Sequence, residues 1–212
     1  MKPSTIEFLS KDMCIDIHDL KIKLGSEGLN NHSSQIESFL NRVVDLFNEN
    51  SDSKKIVELI NNEFNYFCDD LNEDSFEVLD SMRHAFTTFS NRSIKNLYFE
   101  QENQCWYPNI VLSSVVDKAE LEDKPDTLIV YRGCDVKEMF QEVFEQSWTI
   151  SKDVAKDFAF KHYQYENWFS SANRVVLEAK IDKSQIYLSR LYHHEKEVVV
   201  NPSALQNVQQ ST

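Results

Sequence analysis

The order of apolar and polar positions changes character once along the chain, near residue 126. Before it, apolar residues recur every three to four positions, the period of a helix buried on one side. Phe39, Leu40, Val43, Val44 and Phe47 form one such face, and Ser34-Gln35-Ile36-Glu37 ahead of them has the form of a capping box, so a helix is predicted over 34–49. Beyond the polar break 48–53, Ile56, Leu59, Ile60, Phe64, Phe67 and Leu71 repeat the spacing. Phe76, Leu79, Met82, Phe86 and Phe89 make a third helix, and Ile94, Leu97, Tyr98 and Cys105 a weaker fourth. The breaks follow no fixed period, so the helices are not read as a solenoid. Residues 1–32 fit extended pieces and a short helix about equally well, because acidic residues interrupt Ile15, Ile17, Leu20, Ile22 and Leu24.

After the polar connection 117–125 the pattern is that of strands. Thr127-Leu128-Ile129-Val130-Tyr131 reads as a buried strand closed by Arg132-Gly133. Val136, Met139, Phe140 and Phe144 fit a short helix, and Ser147-Trp148-Thr149-Ile150 a second strand. Ser151 is placed to cap a helix carrying Val154, Ala155, Phe158, Ala159 and His162. Val175, Leu177, Ala179 and Ile181 alternate as a third strand, 186–188 gives a fourth, and 197–200 a fifth that stops at Asn201-Pro202. Residues 203–212 have little to anchor them and are expected to form a flexible tail. The predicted fold class is α+β: a mainly helical lobe over 1–126, then a β-rich core over 127–202, together one compact unit.

Charge sharpens this division. The net charge is -13, and residues 1 to 126 carry 12 Lys+Arg against 24 Asp+Glu, whereas residues 127 to 212 carry 10 against 11. The acidic helical part is thereby a poor partner for phosphate backbones, while the nearly neutral β-rich part stays open to them. Its charges are read as solvated faces and its aromatic stripes as core. The glycines are Gly25, Gly28 and Gly133, too few for a glycine-rich phosphate loop. Cys14, Cys68, Cys105 and Cys134 form no CxxC pair, and His18, His32 and His84 have no partner at ligand spacing, so neither a metal nor a disulfide framework is expected. With no continuous apolar run of membrane or signal-peptide length, the chain is expected to be cytoplasmic, with leaderless delivery to another cell left open.

Three short signals then stand in order within the β-rich part: Tyr131-Arg132-Gly133, Ser147-Trp148-Thr149, and Glu195-Lys196-Glu197 running into Val198-Val199-Val200. An arginine closing the first strand, Ser-x-Thr on the next and Glu-x-Glu opening a late one resembles the arginine-serine-glutamate class of mono-ADP-ribosyltransferases. The likeness covers 127–200, about a third of the chain, and extends to the helix Asp153-Val154-Ala155-Lys156-Asp157-Phe158-Ala159. The 15 residues from Arg132 to Ser147 are fewer than the family commonly has, and 50 separate Ser147 from Glu197. The resemblance implies a mixed β-sheet core preceded by a helical lobe, NAD as substrate, and no metal.

The chemistry asks for the same residue types. Breaking the nicotinamide glycosidic bond of NAD expels a neutral leaving group, so the demand is to stabilise positive charge developing on the ribose. A fixed carboxylate near the ribose does this. By the resemblance it is Glu197, oriented by Ser147, with Glu195 on a bent turn beside His193 and His194 to activate the acceptor. Arg132 would bind the pyrophosphate or adenosine end through its planar fork. Gly133 would let the backbone approach the ligand, and Tyr131, Trp148 and Thr149 fall in the same NAD-binding motifs. Among Tyr163, Tyr165, Trp168 and Phe169 the family supplies a wall for the nicotinamide, with a packed loop as the equal alternative.

Glu-x-Glu implies a protein arginine as acceptor. A nucleic-acid base, water as in a NAD glycohydrolase, and an inactive relative that binds proteins through its acidic helices are the other readings. Proteins of this class serve as bacterial toxins, phage effectors and members of toxin-antitoxin or defence systems, so an antitoxin or inhibitor protein is a further expected partner.

Overall fold

The computed structural model, which describes residues 1–26, 29, 31–50, 52–69, 71–91, 93–101 and 107–211, resolves the change of pattern into two units, Met1–Val111 and Leu112–Thr212. In the first, α1 (Pro3–Glu7) begins with proline in its first turn and runs on through a π-helical turn, Phe8–Asp12. The ambiguous stretch that follows is helical: α2 spans Ile17–Leu24, with the Asp16 carboxylate accepting from the N–H groups of His18 and Asp19. Capping explains why acidic residues do not break it. Cys105, assigned by its spacing to the fourth helix, and Gly28 lie outside the described residues.

The four longer amphipathic patterns become α3 (Ser33–Glu49), α4 (Ser53–Phe67), α5 (Glu73–Phe89) and the shorter α6 (Ile94–Glu100). Asp52, Asn72 and Ser93 cap the last three through their side chains. The capping box foreseen at Ser34 does not form. His32 holds the cap position without a side-chain bond, and Glu37 instead binds the Met1 ammonium at 2.5 Å. Inside this unit Phe47 packs against Phe8, Phe86 and Phe89 with centroid separations of 5.3 to 5.8 Å. Phe39, Phe86 and Phe89 are core, as their spacing implied, whereas Phe64 and Phe67 are only partly buried and Phe76 is 44 % exposed.

The second unit is built on a six-stranded sheet. Its strands are β1 (Thr127–Asp135), β2 (Ser147–Thr149), β3 (Arg174–Asp182), β4 (Ile186–Arg190), β5 (Glu197–Val200) and β6 (Gln206–Gln210), in the order β4-β5-β2-β1-β3-β6. A mixed sheet was expected, but every paired neighbour is antiparallel. Parallel neighbours need crossovers of a dozen or more residues, and the turn from β4 to β5 is far shorter. The parallel contact among the described residues is an isolated bridge, Asp117 to Leu188.

That bridge also explains where the units divide. The N–H groups of Val116 and Asp117 donate to the Tyr187 carbonyl, and the Gln146 side chain bonds both the N–H and the carbonyl of Leu112. Residues 112–126 therefore belong with the sheet, and the boundary falls after Val111 rather than after residue 126. The tail differs from expectation too. Residues 206–210 pair with β3 as an edge strand, held by backbone bonds, with Ala204, Leu205 and Val208 partly buried against the core. A polar edge strand of this kind carries almost no apolar signal in sequence.

The sheet has two unlike faces. One carries Leu128, Val130, Cys134, Trp148, Leu177, Ala179, Val198 and Val200 in a continuous core, onto which α7 (Val136–Gln141) packs Val136 and Met139. The other carries Tyr131 and Val176 beneath α8 (Lys152–Phe160), which contributes Ala155 and Ala159. Among the described residues no helix is long and apolar enough to cross a membrane.

Candidate active site

Strand alternation decides which of the motif residues meet. In β2, Ser147 and Thr149 share one face and Trp148 the other; in β5, Glu197 stands directly opposite Thr149 and Val199 opposite Ser147. Tyr131 is the β1 partner of Thr149. Tyr131, Ser147, Thr149 and Glu197 thus lie on the face that α8 partly covers.

On that face the Ser147 hydroxyl donates to Glu197 Oε1 at 2.6 Å. At 2.6 Å the contact is at the short end of the O–H···O range. Glu197 is only 3 % exposed. A carboxylate excluded from water interacts with nearby charge far less screened than one in solvent. Arg190, a residue not singled out by the sequence, stands opposite Glu197 across β4 and β5. The apolar signal of β4 ends at residue 188, whereas the strand continues through Ser189 to Arg190, paired with Val198 and Glu197.

The chain bends just ahead of Glu197. Lys196 has φ 48, in the left-handed region that non-glycine residues adopt at a cost. Several bonds hold it there. The Thr149 hydroxyl donates to the Glu195 carbonyl at 2.6 Å, the Ile150 N–H donates to the Lys196 carbonyl at 3.1 Å, and the Lys196 N–H donates to the His193 carbonyl at 3.0 Å. At the turn's other end the Glu120 carboxylate accepts from the N–H groups of Leu191 and Tyr192. The result places Glu195 on the turn rather than in β5. Its carboxylate lies 3.5 Å from His193 Nδ1 and 3.6 Å from His194 Nε2.

The remaining motif residues are placed differently from what the resemblance implied. Arg132 shares the alternation of Val130 and Cys134 in β1 and falls on the core face, opposite to the one carrying the Ser147 hydroxyl and the Glu197 carboxylate. Its Nε and Nη2 donate to the two oxygens of Glu138 at 2.8 and 2.9 Å, and its Nη1 donates to the Ser147 carbonyl at 2.8 Å. Burial alone lowers the guanidinium pKa, but the hydrogen bonds and charge of Glu138 outweigh it and leave the value raised. The fork that was expected to meet the pyrophosphate or adenosine end of NAD is holding Glu138.

Trp148 is likewise directed into the core, 2 % exposed, with its indole N–H donating to the Glu145 carbonyl at 3.0 Å. Gly133 does permit a close approach, but of α8: a Cβ there would lie 2.0 Å from the Ala155 carbonyl oxygen and 2.5 Å from the Ala159 nitrogen. Thr149 spends its hydroxyl on the turn.

The aromatic residues beyond α8 form a group of their own. Tyr163 packs against His162 and Trp168, with centroids 4.5 and 5.2 Å away, and Trp168 against Phe169 at 6.4 Å. Arg174 lies 5.9 Å over the Tyr163 ring and donates to the carbonyls of Ala159, Phe158 and Gly133. Tyr165 is 90 % exposed and joins none of these ring contacts. A cleft of about 440 Å³ is lined by Asp153, Lys156, Lys161, Arg174 and Gln210, and neither Ser147 nor the glutamates line it.

No family model, curated protein or solved structure matches this chain.

Proposed function

We propose that this protein is an NAD-dependent mono-ADP-ribosyltransferase in which Glu197 stabilises the positive charge that develops on the nicotinamide ribose. The observation that carries the reading is the 2.6 Å bond from Ser147 to the buried Glu197 carboxylate. An oriented carboxylate with little water around it meets the electrostatic demand of this bond cleavage without reorganising during the reaction.

Glu195 takes the acceptor. It stands on a turn fixed at both ends, one bend away from Glu197, where a guanidinium approaching the ribose could be held by a second carboxylate. Tyr163 or Phe169 walls the nicotinamide. Arg132 acts through the Ser147 carbonyl and is a positioning residue in this scheme, holding the strand that presents the serine.

Nicotinamide release from NAD by the full chain, with and without a small guanidine such as agmatine, tests the proposal. Glu197→Gln is expected to lower release by about 10²-fold or more, the loss typical of removing one preorganised electrostatic group. Glu195→Gln should depress transfer to agmatine while sparing slow cleavage by water. Absence of NAD consumption with any acceptor, protein and RNA included, would sink the reading.

A further inference from the structure

Three candidate nitrogen and oxygen ligands converge on the turn between β4 and β5. His193 Nδ1 and Glu195 Oε2 are 3.5 Å apart, His194 Nε2 and Glu195 Oε1 are 3.6 Å apart, and one ligand atom from each residue lies within 4.8 Å of the others. These separations exceed the usual range of a hydrogen bond. The two shorter separations reach different oxygens of Glu195 and approach the edge of a tetrahedral zinc site, about 3.3 Å for ligand atoms about 2.05 Å from the ion; one atom from each residue spans up to 4.8 Å, so a side-chain rotation closes the set around an ion.

Consecutive side chains in a strand diverge to opposite faces, so three adjacent residues can meet only where the backbone turns. The left-handed Lys196 and the bonds from Thr149 and Glu120 provide that turn. His193 Nδ1 adds a further observation: the atom is shielded from solvent, though the side chain is 28 % exposed, and it makes no hydrogen bond among the described residues, where an enclosed imidazole nitrogen ordinarily finds a polar partner or a cation. His194, by contrast, has its side chain 78 % exposed, which gives an ion a path from solvent. The two imidazole rings lie 3.9 Å apart between centroids.

We infer that His193, His194 and Glu195 form a binding site for a divalent zinc-class ion, with the fourth position left to water. Two imidazoles and one carboxylate favour zinc or copper over magnesium and calcium, which prefer oxygen ligands alone. Resting on the transferase reading, occupation of the site also regulates it: an ion bound by Glu195 withdraws the carboxylate that receives the guanidine, while Glu197 and Ser147 remain free to act on NAD.

Competition between the full chain and a chromophoric zinc chelator reads the site directly. One zinc per chain is expected, with magnesium failing to compete. His194→Asn, on the exposed side of the turn, and the pair His193→Asn with His194→Asn should each weaken zinc binding by about tenfold or more while leaving the circular dichroism spectrum unchanged. Unaltered zinc affinity in the double variant overturns the site. One equivalent of zinc should suppress transfer to agmatine and spare NAD cleavage by water; zinc bound at the histidines with transfer undiminished overturns the regulation. A chain that takes up zinc through these histidines yet never consumes NAD refutes the transferase reading and leaves the metal site standing.

Discussion

At the scale of single residues, two side-chain couples divide the labour of the motif. Ser147 with Glu197 presents a buried carboxylate, and Arg132 with Glu138 ties α7 and the Ser147 carbonyl to β1. The second couple is a paired charge in a largely enclosed place, with side chains 17% and 19% exposed. Arg132→Met is expected to cost about 3 kcal/mol in urea unfolding, because Glu138 is left with an uncompensated charge. Adding Glu138→Leu should restore most of it. A double variant as unstable as the single one would show that the ion pair is not what the arginine contributes. The period of two residues in a strand separates what the motif joined: Tyr131, Arg132 and Gly133, all expected to meet NAD, cannot all face one ligand. Which face Arg132 takes could not be read, because the strand is apolar on both sides of it.

At the scale of elements, α8 and the turn before β5 are positioned by very local devices. Gly133 lets the α8 backbone lie against β1 where any Cβ would collide with Ala155 and Ala159. Gly133→Ala should therefore destabilise by about 3 kcal/mol, as overpacking does when backbone rather than a flexible side chain must move. Chemical denaturation measures this, and a loss below about 0.5 kcal/mol, the size of an ordinary surface change, would contradict the close approach. The helix itself was legible from Val154, Ala155, Phe158 and Ala159, whereas the glycine's partner was not, since the contact joins residues more than twenty positions apart. The edge strand β6 was missed for a related reason. Its polar residues are fixed by backbone pairing with β3, and the one partly buried side chain, Val208, is too little to set a period.

At the scale of the whole molecule, each unit carries groups whose ionisation opposes folding at high pH. In the second unit burial, helped by the charge of Glu138, pushes the Cys134 thiol up from 9.0 to about 12. Burial and Glu178 raise Tyr131, and in the first unit burial and the charge of Glu100 raise Tyr107. A raised folded-state pKa leaves its stability fully present below the unfolded value and removes it as the pH climbs toward the folded one. The melting temperature should hold up to about pH 9 and fall steadily toward pH 11, with Cys134→Ala removing the earliest part of the fall. A flat profile from pH 8 to pH 11 would contradict the burial of these groups.

The sequence by itself determined the α+β class, the amphipathic helices α3 to α6, the first five strands and the order of the three motifs, because each rests on local periodicity that neighbouring residues alone impose. Tertiary structure decided the antiparallel sheet, the boundary after Val111, the anchoring of the tail and, above all, which motif residues meet. Ser147 and Glu197 are 50 residues apart and touch because β2 and β5 pair in one register; Arg132, one position from the same face, turns away because a strand alternates. Register is set by how the two faces bury against α7 and α8, and no stretch of sequence contains both sides of that choice.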